Sequence, residues 1–159
     1  MTTSEVSLSL RYAPHEKFYQ GKVYRTSFVN KYPIFNLRYS VGLRNVLGGE
    51  YDYHSLSGSI DKRFYLSQFG YSDVRTEGAY IFGKLPFPLL SIHRANQTYA
   101  YQMYAYNLMN FLEFVSDHYV SLNIDHNFNG FFLNKIPLVK HLKLREIVSF
   151  KALYGGLRE

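Results

Sequence analysis

The sequence predicts an all-β chain built around one large antiparallel sheet, and three observations lead there. Apolar and polar residues alternate over long stretches, most cleanly where Val120, Leu122, Ile124 and Phe128 fall on one side and Ser121, Asn123, Asp125 and Asn127 on the other. A period of two marks a strand with one oily and one watery face. Several alternating stretches also exceed the five or six residues usual in soluble strands and reach the roughly 9 to 11 that a tilted membrane strand needs. The joining segments, finally, are uneven, short or modest on one side of the sheet and once very long on the other, as in membrane barrels.

Each element follows from local pattern. Val6, Leu8, Leu10 and Tyr12 alternate with Ser7, Ser9 and Arg11, predicting a first strand. Residues 13–22 hold Pro14 and Gly21 and read as a loop, before a short strand over 23–30 and a turn at 30–33. A strand over 34–47 places Leu37, Tyr39 and Val41 against Arg38 and Arg44 and ends at Gly48-Gly49, which supplies the positive φ of a tight hairpin. Its partner runs over 51–67, with Leu56, Ile60 and Phe64 opposite Asp61 and Arg63, and with Lys62 breaking the apolar register. After a close turn at 68–70, Val74, Tyr80 and Phe82 alternate with Asp73, Arg75 and Glu77. Alternation then stops from 84 to 110, where Pro86, Pro88 and a Tyr-rich run predict a long loop, with or without a helix. It returns over 111–128, pauses over 129–141 around Pro137, and resumes less cleanly over 142–154, where Glu146 sits among apolar positions. About seven strands result.

Composition bounds the function. The 159 residues suffice for one domain or one piece of one. Sixteen Tyr and 13 Phe suit both pleated surfaces and membrane interfaces. Cysteine is absent, which removes disulfides and thiolate metal sites. The net charge of +6 permits contact with phosphate groups. The densest basic cluster, Lys135, Lys140, His141, Lys143 and Arg145, lies at a turn and reads as a solvated run, so no nucleic acid is expected. Met1-Thr2-Thr3-Ser4-Glu5 runs directly into alternation, so no export leader is expected here. No apolar run reaches the roughly 18 residues of a spanning helix. Mean hydropathy, −0.22, is neutral on a barrel.

Chemistry is sparse. His118 and His126 share one strand face while Asp117 and Asp125 share the other, so they do not converge on a metal. Nucleophile-elbow, zinc-protease and phosphate-loop motifs are missing, and neither an enzyme nor a cofactor is expected. Arg38, Arg44, Asp61, Arg63, Arg75, Glu77 and Asp125 mix signs on the watery face, as a hydrated lumen requires. Opposite them, Leu37, Tyr39, Val41, Val120, Leu122 and Ile124 form the face expected to meet lipid. Tyr99, Tyr101, Tyr104 and Tyr106 are too numerous for a loop that floats in water, and are expected to pack into the lumen or recognise a ligand.

The stretch Asn107-Leu108-Met109-Asn110-Phe111-Leu112-Glu113-Phe114-Val115-Ser116-Asp117 carries a resemblance, together with Phe128-Asn129-Gly130, Asn134-Lys135-Ile136-Pro137-Leu138 and Lys143-Leu144-Arg145-Glu146. It resembles the C-terminal barrel of large Bacteroidetes outer-membrane proteins that begin with a carboxypeptidase-regulatory-like domain. Those barrels are more distantly similar to surface-antigen, or assembly-factor, barrels. The resemblance implies a place in the bacterial outer membrane, a transmembrane antiparallel barrel, and no established catalysis. It further implies that this chain is a fragment, partnered by outer-membrane lipid, by the remaining strands and by the periplasmic domain of a parent protein. In the distant relatives a long loop enters the lumen and carries an Arg-Gly-Phe motif; Arg94-Ala95 is the nearest approach here. The role implied is transport- or assembly-related. Two other architectures suit the same pattern: a complete eight-stranded membrane barrel, and a soluble lipocalin-like barrel binding an apolar ligand.

Overall fold

A computed structural model describes residues 2–28, 30–97, 100 and 102–158. Among them the chain forms β1 (Glu5–Tyr12), β2 (Phe18–Gln20), β3 (Arg25–Ser27), β4 (Ile34–Gly42), β5 (Tyr53–Tyr65), β6 (Tyr71–Phe82), β7 (Ser91–Ile92), β8 (Val115–Ser116), β9 (His118–Asn127) and β10 (Ile147–Gly156). Helix is confined to one turn, α1 (Pro137–Lys140), and three short 3-10 turns. Six strands make one open sheet in the order β1-β4-β5-β6-β9-β10, with every neighbouring pair antiparallel. The all-β antiparallel class therefore holds. The sheet has six strands, not seven, and is not closed into a barrel.

The differences from the sequence pattern have local causes. The strand expected over 23–30 is instead the small β2–β3 hairpin, closed where the Gly21 N–H donates to the Tyr24 carbonyl at 2.9 Å. β4 stops at Gly42 rather than at residue 47, because Asn45, Leu47 and Gly48 take positive φ and the Asn45 N–H turns to the Gly49 carbonyl. The stretch 111–114 is turn, not strand, with Leu112 at positive φ; only β8 and then β9 are extended. Residues 142–146 likewise belong to a connection. Glu146 fits that place, since its carboxylate accepts the Leu133 N–H and so closes the turn around α1. Long connections stand at both ends of the sheet, 13–33 and 128–146 at one and 83–117 at the other, so the expected asymmetry is not seen.

Register keeps the two faces apart across all six strands. One row reads Leu10, Leu37, Gly58, Gly78, Val120 and Tyr154; the adjacent rows, one residue along, carry side chains of the other face. The apolar face lies open, with Leu8, Val120 and Phe150 each more than half exposed. The polar face is where burial lies: Ser40, Ser59, Ser121 and Asn123 are all buried. The connection 83–117 covers it, contributing buried His93, Ala95, Ala105 and Met109.

The β5–β6 hairpin turns at Gly70, whose φ is +84° and whose N–H and carbonyl both bond within the turn. A methyl group there would stand 1.9 Å from the Asn127 carbonyl oxygen on β9. Gly70→Ala is therefore expected to cost about 2 kcal/mol or more, read as a fall in the denaturation midpoint. Gly58→Ala, whose nearest neighbours lie at 3.5 and 3.6 Å, should change it far less.

Candidate functional site

The polar face is a ladder of paired charges laid across β5, β6 and β9. Arg63 on β5 grips Asp73 on β6 through two bonds of 2.6 Å, a bidentate pair between register partners. Next along, Arg75 on β6 meets Asp61 on β5 at 3.1 Å and Glu77 at 3.4 Å. Glu77 also accepts the Tyr119 hydroxyl of β9 at 3.1 Å. At the far side Glu5 of β1 accepts from Tyr53 at 2.7 Å and from Arg38 at 3.4 Å. Opposite signs thus face each other across strands, the arrangement that stabilises a sheet face.

The connection 83–117 is fastened onto this floor by polar contacts. Arg94 reaches Glu77 at 3.6 Å, and the Lys151 ammonium on β10 donates to the carbonyls of Met103 and Ala105 at 2.8 and 2.9 Å. The Tyr104 ring lies under two guanidinium groups, with Arg75 4.8 Å and Arg94 5.8 Å from its centroid. Tyr106 donates its hydroxyl to the Ala152 carbonyl at 3.3 Å. His93 shares a 2.9 Å hydrogen bond with Ser116 and sets its ring edge-on to Tyr119. Burial pushes the His93 imidazolium down, which favours its neutral form.

Where this connection re-enters the sheet, Asp117 ties four segments together. Its carboxylate takes the Arg158 side chain at 2.7 Å, the Arg158 N–H at 3.1 Å and His118 Nδ1 at 2.5 Å. Arg158 goes on to the Tyr80 hydroxyl at 2.7 Å and to the Ile81 carbonyl. Burial raises the carboxyl's pKa, but the hydrogen bonds from Arg158 and His118 outweigh it and bring it down to about 2.

Of the side chains singled out in the sequence, Arg38, Asp61, Arg63, Arg75, Glu77 and Asp125 share the polar face, and Leu37, Tyr39, Val41, Val120, Leu122 and Ile124 share the apolar one. Arg44 is a correction. It stands in the turn beyond Gly42, exposed, because β4 ends early. Tyr104 and Tyr106 pack on the polar face; Tyr99 and Tyr101 lie outside the described residues. Glu5, His93, Lys151 and Arg158 were not anticipated. Lys151 alone had a readable signal, as a cation alternating with apolar residues in the last strand, although Lys143 and Arg145 show the same pattern. Among the described residues no three His, Asp or Glu side chains are grouped to hold a metal ion.

A family model described as "Family of unknown function (DUF5686) C-terminal domain" matches residues 2–158. No curated protein and no solved structure matches the chain.

Because the Asp117 carboxyl is held below its ordinary 3.8, the stability it contributes is complete above that pH and is lost as the pH falls towards 2. Thermal stability should accordingly fall over that window in the parent chain and change less in Asp117→Asn, which should already melt lower at neutral pH. Equal pH profiles would show that Asp117 does not tie the sheet end.

Proposed function

The chain belongs to the DUF5686 C-terminal domain family, which has no assigned function, and we propose that it forms part of an outer-membrane β-barrel with a role in transport or assembly. The observation that carries this is the inversion of burial. Asn123 is 3% exposed on the polar face, whereas Val120 and Tyr154 on the apolar face are 55% and 80% exposed. A soluble sheet buries its apolar side; one whose apolar side is solvated by lipid can turn its polar side to a lumen.

Three further features support the barrel. On β5 and β6 the aromatic rings of the apolar face stand towards the strand ends, Tyr80 and Phe82 at one and Phe64 at the other, with Ile60 and Val74 between. Membrane barrels carry such girdles at both interfaces. Lys62, the one cation in the apolar register of β5, bends its ammonium to within 4.6 Å of the Phe64 ring near that rim. Among the described residues no further strand lies beside the edges β1 and β10, and lipid does not tolerate an open sheet edge, so in this reading further strands complete the wall. The resemblance to Bacteroidetes barrels agrees, and makes those strands and a periplasmic domain the partners. A lipocalin-like barrel would enclose the apolar face, which here lies open.

In this arrangement the connection 83–117 is a lumen filling. Without detergent the chain should aggregate, and in detergent micelles it should run as a single species; a monodisperse, cooperatively melting monomer in plain buffer would overturn the proposal. Within the full-length protein, Leu122→Arg or Ile124→Arg should cost about 2 to 4 kcal/mol near the bilayer midplane. Ser9→Arg, on the open part of the polar face, should cost well under half of that. Removing residues 97–106 should raise single-channel conductance in planar bilayers.

A further inference from the structure

Between the β2–β3 segment and the Met103-Tyr104 turn, the polar face holds a cavity of about 330 Å³ that the ion-pair ladder does not fill. Two of the residues that line it each carry a buried polar atom without a partner. Asn123 is 3% exposed, and its side-chain carbonyl oxygen has no hydrogen-bond partner among the described residues. Its cross-strand neighbour Arg75 leaves Nε buried and equally unpartnered. An orphan acceptor beside an orphan donor is costly, at about 1 to 3 kcal/mol each, unless something enters to satisfy both.

The walls say what kind of molecule that is. The charged side chains that line the cavity balance, Arg11, Lys62, Arg63 and Arg75 against Glu16, Asp61, Asp73 and Asp125, and each arginine is paired with a carboxylate, so the wall carries no net charge to select an anion or a cation. What remains is hydrogen-bonding capacity with a surplus of acceptors, since the Asp125 carboxylate takes only the Ser149 hydroxyl. A hydroxyl group donates and accepts at once, and so satisfies Asn123 Oδ1 and Arg75 Nε together. Tyr32 and Tyr104 add aromatic walls. The cavity's size falls within the range of small-molecule sites.

We infer that this cavity binds a neutral polyhydroxylated ligand, a short saccharide, with Asn123 and Arg75 as its deepest contacts. The inference does not require the membrane assignment, because the cavity opens on the polar face whether that face meets a lumen or bulk water.

The test is titration of the full chain, in detergent or in buffer as its solubility dictates, with maltotriose, cellotriose and raffinose, followed by calorimetry and by saturation-transfer NMR. Saturable binding of at least one is expected, and Asn123→Leu should weaken it about tenfold or more. The same variant should melt no lower than the parent, since it removes a buried group that lacks a partner. Ser149→Ala, which leaves Asn123 and Arg75 in place, should bind within a few-fold of the parent. The proposal is overturned if none of the three sugars binds, if a bridging water alone occupies the site, or if Asn123→Leu binds as the parent does. Aggregation in buffer alone would speak only to the membrane assignment.

Discussion

Everything in this fold follows from burying a sheet on its polar side. An apolar face can be covered by any apolar layer, but a polar face can be covered only by groups that match it donor for acceptor. Glu77 shows the constraint at its tightest. It sits on β6, central in the sheet, and answers Arg75 from its own strand, Tyr119 from β9 and Arg94 from the covering connection. Removing any of these partners leaves the rest of the set short of one. The apolar face carries no such demand; it needs only an apolar surrounding, which in the proposed barrel is lipid.

That constraint also explains the composition of the covering connection. Few of its residues are in regular structure, so its own carbonyls need donors from elsewhere, and Lys151 supplies two of them from the sheet. Tyrosine serves both needs at once: the ring of Tyr104 lies under cations, while the hydroxyl of Tyr106 reaches a strand carbonyl. Pro86 and Pro88 stiffen the entry, where a 3-10 turn over Phe87–Leu89 leads into β7. Small Ala95 and Ala105 sit buried where larger side chains would hold the connection off the floor.

Faces were legible in the sequence and layers were not. A strict period of two sorts side chains without any knowledge of partners, so Leu37, Val120 and Ile124 came out on one face and Asp61, Arg75 and Glu77 on the other. Strand ends were misjudged where alternation outran the extended backbone: nothing in Leu43-Arg44-Asn45 announces that Asn45 and Leu47 take positive φ. Glu146 was visible as an anomaly in its strand, but that its carboxylate closes a turn thirteen residues away in sequence depends on the chain doubling back. The Asp117–Arg158 tie, spanning 41 residues, is of the same kind. Contacts between distant segments leave no period behind.

The proposed barrel is further constrained by the width of this sheet. Six strands about 4.8 Å apart and tilted by about 40° span an arc of roughly 38 Å, which closed on itself would have a radius near 6 Å. A packed layer needs its centre about 10 Å from the sheet it lies on. Six strands therefore cannot close around the connection 83–117, and the open form is a consequence of the filling as much as of the strand count. Five antiparallel steps separate β1 from β10, so the two edges run in opposite directions. Any strands that join them must be even in number if the wall is to stay antiparallel throughout. They must also continue the same alternation, apolar outward and polar inward, because the edge residues Leu8 and Leu10 on β1 and Phe150 on β10 already present apolar side chains on a single face.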